Sequence, residues 1–189
     1  MKLRCFDQQE LPFIPWSNQK GTTQEIVCWP VNNDFSWRAC LTSIEDNGSL
    51  GQFPDIERQM VLLEGNGLNL NSTGFLNHSV TDPYQPYDFS GDIHVKSELI
   101  KGGVKCLNIM VRRTCWKAET TLVTQPLILP SSHAGLIYVT QGEWSLTGAT
   151  CQHLSKGQGA WWLPDIREGE IRPLTANCQL LWADIRPLK

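Results

Sequence analysis

The chain has 189 residues, of which 41% are hydrophobic and 19% charged, with a formal net charge of -3. That length suits one large domain or two small ones, and the apolar share is enough for a sizeable core and excludes global disorder. With 16 basic residues against 19 acidic ones and no basic run, the chain lacks the stripe that releases phosphate counterions, so no nucleic-acid partner is expected.

At the N-terminus, Arg4, Asp7 and Glu10 interrupt the apolar stretch that a signal peptide would need. No segment approaches the roughly 18 apolar residues of a membrane-spanning helix, so no membrane partner is expected and the expected location is cytoplasmic. The cysteines, Cys5, Cys28, Cys40, Cys106, Cys115, Cys151 and Cys178, are scattered and never in Cys-x-x-Cys spacing. In a chain without a signal peptide they read as reduced, mostly buried small hydrophobes, not as zinc ligands or disulfides.

Glycines and prolines cut the chain into short apolar runs at residues 25–29, 36–44, 59–63, 68–70, 105–112, 121–123, 136–140, 160–163 and 179–184. Several alternate as a half-buried strand should, with Trp37, Ala39 and Leu41 facing one side. No long segment has apolar residues at helical spacing. Short strands with Gly, Pro and Asn punctuation predict an all-β sandwich or barrel. Residues 61–65 followed by 67–70 are echoed by 138–142 followed by 144–146: an apolar strand, a glycine turn, then a second strand, the signature of a hairpin. Each is followed by a similar element, at 86–89 and at 160–164, with an offset between halves of about 76 residues. The repetition predicts a duplicated small barrel.

This pattern resembles the cupin barrel, an antiparallel jelly roll. Metal-bearing cupins place a His-x-His pair and a glutamate ahead of the hairpin glycine. Counting back from Gly65, the glutamate position falls on Arg58, and the histidine positions fall on Gln52 and Pro54 or on Gly51 and Phe53. The four histidines, His78, His94, His133 and His153, are isolated from one another. Neither a metal nor any other cofactor is expected.

The polar residues in and beside the apolar runs carry a more specific resemblance. Pro15, Trp16, Asn18, Gly21, Thr23 and Glu25 come first, then Trp37-Arg38, then Phe53-Pro54 with Arg58. Gly91-Asp92 and the strand Leu107-Asn108-Ile109-Met110-Val111-Arg112-Arg113 complete the series. In this order the segments resemble the HutD/Ves family of bicupin proteins. The chain departs from the family at Ser17-Asn18-Gln19-Lys20-Gly21, where Lys-Asn-Gly-Gly-Gly is usual, and at Cys106, where an acidic residue often stands. The resemblance implies two jelly-roll-like antiparallel β-barrels packed together, an N-terminal one over 1–120 carrying the motifs and a smaller one over 121–189, with room for strands shared between them. It further implies a non-enzymatic binding or regulatory role, linked to histidine utilization or stress response, with a small anionic partner of the formylglutamate type. Analogy with the family points to a homodimer.

The residues themselves suit such a ligand. Arg38, Arg58 and Arg112 offer planar bidentate donors for carboxylates, while Asn18, Thr23 and Asn108 both donate and accept. Trp16 supplies an apolar wall, and Trp37 supplies either another wall or core packing. Glu25 completes the expected ligand-binding set as an arginine partner. In an alternative reading it is the acid/base of a metal-independent isomerase or hydrolase. Arg113, on the face opposite Arg112, reads as a solvated charge. Arg58 is expected to point into the first barrel, satisfied there by a carboxylate such as Glu25 or by an anionic ligand. Trp116, Trp144, Trp161, Trp162 and Trp182 make the second half tryptophan-rich, as cores and interfaces both are.

Overall fold

The computed structural model describes residues 3–148, 152–164 and 169–188. In chain order the strands are β1 (Arg4–Asp7), β2 (Ile14–Pro15), β3 (Gly21–Trp29), β4 (Trp37–Ile44), β5 (Gly48–Ser49), β6 (Ile56–Glu64), β7 (Leu68–Ser72), β8 (Leu76–Val80), β9 (Pro86–Ser90) and β10 (Lys96–Leu99). They continue with β11 (Val104–Arg112), β12 (Trp116–Val123), β13 (Leu127–Leu129), β14 (Ala134–Gln141), β15 (Trp144–Leu146), β16 (His153–Leu154), β17 (Gln158–Trp162), β18 (Gly169–Pro173) and β19 (Gln179–Pro187). The protein is all-β: no helix occurs among the described residues, and so none long and apolar enough to cross a membrane. Every apolar run read from the sequence overlaps one of these strands.

The chain divides into two compact units, Pro12–Cys115 and a second built from Met1–Leu11 with Trp116–Lys189. The first eleven residues therefore lie with the C-terminal half, because β1 pairs antiparallel with β17 from Arg4 opposite Trp161 to Asp7 opposite Gln158. Each unit contains two sheets. In Pro12–Cys115 the orders are β2-β3-β4-β11-β6-β9 and β5-β10-β7-β8. In the other unit they are β1-β17-β14-β19-β12 and β13-β18-β15-β16. The run β4-β11-β6-β9 repeats as β12-β19-β14-β17, and the four-stranded order repeats strand for strand. The internal echo in the sequence thus has a structural counterpart. The sheets remain separate, however, and none closes on itself into a barrel.

The hairpin reading of the echo is corrected. Strands β6 and β7, on either side of the Gly65 turn, lie in different sheets, as do β14 and β15 on either side of Gly142. Each glycine turns the chain from one sheet into the facing one. Both have left-handed backbones, with φ of 98° at Gly65 and 77° at Gly142, which glycine adopts without steric cost.

In the Pro12–Cys115 unit, Ile44, Met60, Leu62, Leu68, Leu70, Val95 and Cys106 form a core between the two sheets. The other unit is filled by Ile137, Val139, Trp144, Trp162, Ile171 and Leu180. Trp144 and Trp162 are fully buried, so they serve as core. The expectation of reduced cysteines holds for Cys28, Cys40, Cys106, Cys115 and Cys178, which are free. It fails at Cys5, which is disulfide-bonded, while Cys151 lies outside the described residues.

Candidate functional site

In antiparallel sheets, directly opposed residues point to the same face. Met110 of β11 stands opposite Arg38 of β4 and Arg58 of β6, which sets two arginines and a methionine in one row across three strands. Alternation along β4 adds Cys40 and Thr42 to that face, and Thr42 stands opposite Thr23 of β3. These six residues, with Trp16 and Asn18 ahead of β3 and Leu50 and Phe53 ahead of β6, line a cavity of about 360 Å³. Ser17, Ser49 and Gly51 complete its lining.

The Trp16 corner has a clear local cause. Gln19 N–H donates to Trp16 O at 2.9 Å, Trp16 N–H to Gly21 O at 2.9 Å, and Asn18 Oδ1 accepts from Lys20 N–H at 3.0 Å. A Cβ on Gly21 would lie 2.5 Å from Ser43 O and 3.2 Å from the Trp16 ring, so only glycine lets the indole lie against this strand. Trp16 Nε1–H donates to Thr23 Oγ1 at 2.8 Å. The threonine oxygen is thereby engaged as an acceptor, and its own proton is left to donate.

The two arginines of the row differ in state. Arg38 Nε donates to Glu25 Oε2 at 2.7 Å, and its Nη2 lies 2.6 Å from the same oxygen in an ion pair. Arg58 is only 5% exposed. Its Nη1 donates to Gly51 O at 2.9 Å, and its guanidinium lies 5.4 Å from the Phe53 ring centre and 4.8 Å from that of Phe89. Its Nε is buried without a hydrogen-bond partner. Among the described residues no carboxylate pairs with it. Burial pushes this guanidinium down to about 10, and the Arg38 charge adds to the fall, so it remains a cation at neutral pH. Burial likewise pushes the Cys40 thiol up to about 11, leaving it protonated.

Trp16, Asn18, Thr23, Arg38 and Arg58 from the sequence-derived set therefore come together at one cavity. The other members do not line it. Glu25 is held on Arg38, as the arginine partner that was one of its two readings. Asn108 is buried, and its Nδ2 donates to Thr42 Oγ1 at 2.7 Å, so it touches the cavity only through the threonine. Arg112 turns to Asp34 at 2.6 Å and to Phe35 O at 3.2 Å. Trp37 is fully buried core on the opposite face of β4. Arg113 is not a lone solvated charge: it pairs with Asp92 and reaches Glu57 Oε1 at 3.2 Å.

That last contact belongs to a brace behind the cavity. Asp92 Oδ1 accepts from Asp55 N–H at 2.8 Å, and Oδ2 accepts from Ser90 Oγ at 2.9 Å and from Arg113 Nη2. Arg113 Nη2 also donates to Ile56 O at 3.3 Å. Asp55 has a left-handed backbone, φ 62°, so the brace fixes a strained turn between the cavity residues Phe53 and Arg58. The Gly91-Asp92 motif and Arg113 are thus structural supports. Sequence reading missed Cys40 and Thr42 as lining residues, although the alternation from Arg38 contained them. No sequence signal marks Ser49 or Leu50.

His78 stacks on Tyr87 with ring centres 3.6 Å apart, His133 Nδ1 lies 2.7 Å from Asp184 Oδ1, and His94 Nε2 lies 3.3 Å from Oγ of the lining residue Ser49. No group of three or more His, Cys, Asp or Glu residues able to hold a metal occurs among the described residues.

The fold places the chain among cupin-like all-β proteins. It matches a cupin 2 conserved barrel domain protein from Leptotrichia buccalis with a TM-score of 0.64 at 12% identity, over 98% of each chain. The similarity to HutD from Pseudomonas fluorescens is much greater, with a TM-score of 0.84 at 18% identity, over 99% of this chain and 100% of that one. In sequence, the chain is 33% identical to Protein Ves of Cronobacter sakazakii over 186 residues, 97% of this chain and 98% of the relative. The HutD family model matches residues 8–181, and the chain belongs to the HutD family.

Proposed function

We propose that the protein is a non-enzymatic binding protein for a small carboxylate of the formylated or acylated amino acid class, housed in the Pro12–Cys115 unit and serving a regulatory role. In this reading the two units are the cupin-like halves of a bicupin, and only the first carries the ligand. The observation that supports it is Arg58: a guanidinium 5% exposed, lining a cavity, with no carboxylate partner among the described residues. A buried charge of this kind is costly unless something of opposite sign joins it. A bound carboxylate does so, with the aromatic walls of Trp16 and Phe53 taking the apolar part of the ligand. The enzymatic alternative has less support, because Glu25 is not among the cavity-lining residues and its Oε2 is held by Arg38.

Calorimetric titration with formate, acetate and N-formylated amino acids tests the proposal. Binding is expected for wild type and is expected to disappear in Arg58→Gln. A wild-type protein that shows neither heat nor a thermal shift with any carboxylate would sink the reading.

A further inference from the structure

Charge limits what this cavity can take more strictly than shape does. Of its two guanidiniums, Arg38 is already neutralised: its Nε donates to Glu25 Oε2, and its Nη2 pairs with the same oxygen at 2.6 Å. Arg58 has no such counter-ion among the described residues, and no aspartate, glutamate, lysine or histidine lines the cavity. The chamber thus holds one uncompensated positive charge beside apolar walls. A first carboxylate on Arg58 brings the total to zero. A second one would find its only other cation occupied, in surroundings where an unpaired ion is heavily penalised.

We infer that the cavity selects a singly charged carboxylate bearing a neutral carbonyl, such as an N-acylated amino acid with an uncharged side chain, over the corresponding dicarboxylate. This rests on the carboxylate-binding reading above and narrows it. The carboxylate seats against Arg58. The neutral carbonyl has a donor in Thr23, whose hydroxyl oxygen is engaged by Trp16 Nε1–H at 2.8 Å and whose proton remains for the ligand. Glu25 acts as a positioning residue: without touching the ligand, it holds Arg38 and so removes the second seat that a dianion needs.

N-formylglutamine and N-formylglutamate have nearly the same shape and differ by one charge, so titrating both into the intact chain isolates this effect. Wild type is expected to bind N-formylglutamine at least about tenfold more tightly, the size expected from leaving one partly solvated carboxylate unpaired. In Glu25→Gln the freed Arg38 is expected to tighten both compounds, N-formylglutamate much more than N-formylglutamine, and so to bring the ratio to unity or reverse it. Equal or tighter binding of N-formylglutamate by wild type overturns the inference and leaves the carboxylate reading standing. Discrimination that survives intact in Glu25→Gln overturns the role given to Glu25. If neither compound nor acetate gives heat with wild type, the inference and the reading fall together. The wild-type comparison needs no variant, so a poorly folding Glu25→Gln does not rescue the idea.

Discussion

Glu25 and Arg38 are joined diagonally across β3 and β4, with Arg38 Nη2 2.6 Å from Glu25 Oε2. The register sets Glu25 opposite Cys40 and Arg38 opposite Cys28, two rungs along, so the pair spans the register shift between Glu25 and Val27. The two side chains are only 25% and 20% exposed, so removing either one strands the other in a poorly solvated position. Glu25→Gln is expected to cost about 1–3 kcal/mol in urea unfolding. The double variant Glu25→Gln/Arg38→Met is expected to recover part of that loss, since it removes both charges together. An unchanged unfolding midpoint in Glu25→Gln would show that the pair carries no structural weight.

Asp92 holds the turn that presents Phe53 and Arg58 to the cavity. Its carboxyl is kept below the usual aspartate range by the Asp55 N–H, then by Arg113 and Ser90. A carboxyl lowered in the folded state stabilises the protein fully above its ordinary range, and that contribution is lost as pH falls through the lowered value. Asp92→Asn is expected to melt a few degrees lower at neutral pH and to show a flatter acid limb than wild type. Thermal melts from pH 7 down to about 3 check both points. Carboxylate affinity should also weaken, because Arg58 and Gly51 flank the loosened turn.

What the sequence made legible and what it did not have separate physical causes. Long buried strands such as β6 and β11 announce themselves through apolar runs. Short exposed strands such as β8, in which three of five residues are exposed, do not, because neighbouring strands recruit them whatever their composition. The glycine turns at Gly65 and Gly142 were legible as reversals, but a local turn does not specify which sheet the next strand joins. In the site, Arg38 stood out as a charge inside an apolar run and Arg58 as one at the head of another, and a charge so placed demands a partner or a ligand. Asn108, Met110 and Arg112 share one face of β11, yet alternation gives the face and not the position along it. Asn108 and Arg112 lie about 13 Å apart along the strand at 3.3–3.4 Å per residue. Only Met110, between them, lines the cavity.

Buried thiols predict an alkaline weakness. Burial pushes the Cys106 thiol from 9.0 up to about 12, at a residue with 0% exposure. The folded state therefore keeps a proton that the unfolded chain releases. Its contribution to stability is complete below about pH 9 and declines as pH rises toward 12, by about 1.4 kcal/mol per pH unit within that window. Cys106→Ala is expected to be less stable at pH 8 through lost packing, but to lose less further stability between pH 9 and 11. Urea midpoints measured across that range give the two slopes, and parallel slopes would contradict the assignment.

Arg58 offers the sharpest contrast between a structural charge and one kept for a ligand. A buried arginine paired with a resident carboxylate would cost about 3–5 kcal/mol to remove, because its partner would be left behind. Arg58 has no such partner among the described residues; it has one backbone acceptor, Gly51 O, and two aromatic neighbours, Phe53 and Phe89. Arg58→Met keeps an unbranched side chain of similar reach between those rings, loses one hydrogen bond, and relieves the burial of an uncompensated cation. The ligand-free variant is therefore expected to unfold within about 1 kcal/mol of wild type, or above it. The pH dependence follows the same sign. A guanidinium lowered to about 10 in the folded state weighs against folding below that pH, and this penalty lifts as pH rises past it. Compared in a Cys40→Ala background, which removes the neighbouring thiol that Arg58 influences, the variant should therefore lack the relative gain that the Arg58 protein shows between pH 10 and 12. Added carboxylate should raise the melting temperature of wild type and leave that of the variant unmoved. A loss of 3 kcal/mol or more in the ligand-free variant would instead mean that Arg58 is held by a resident anion in the folded protein.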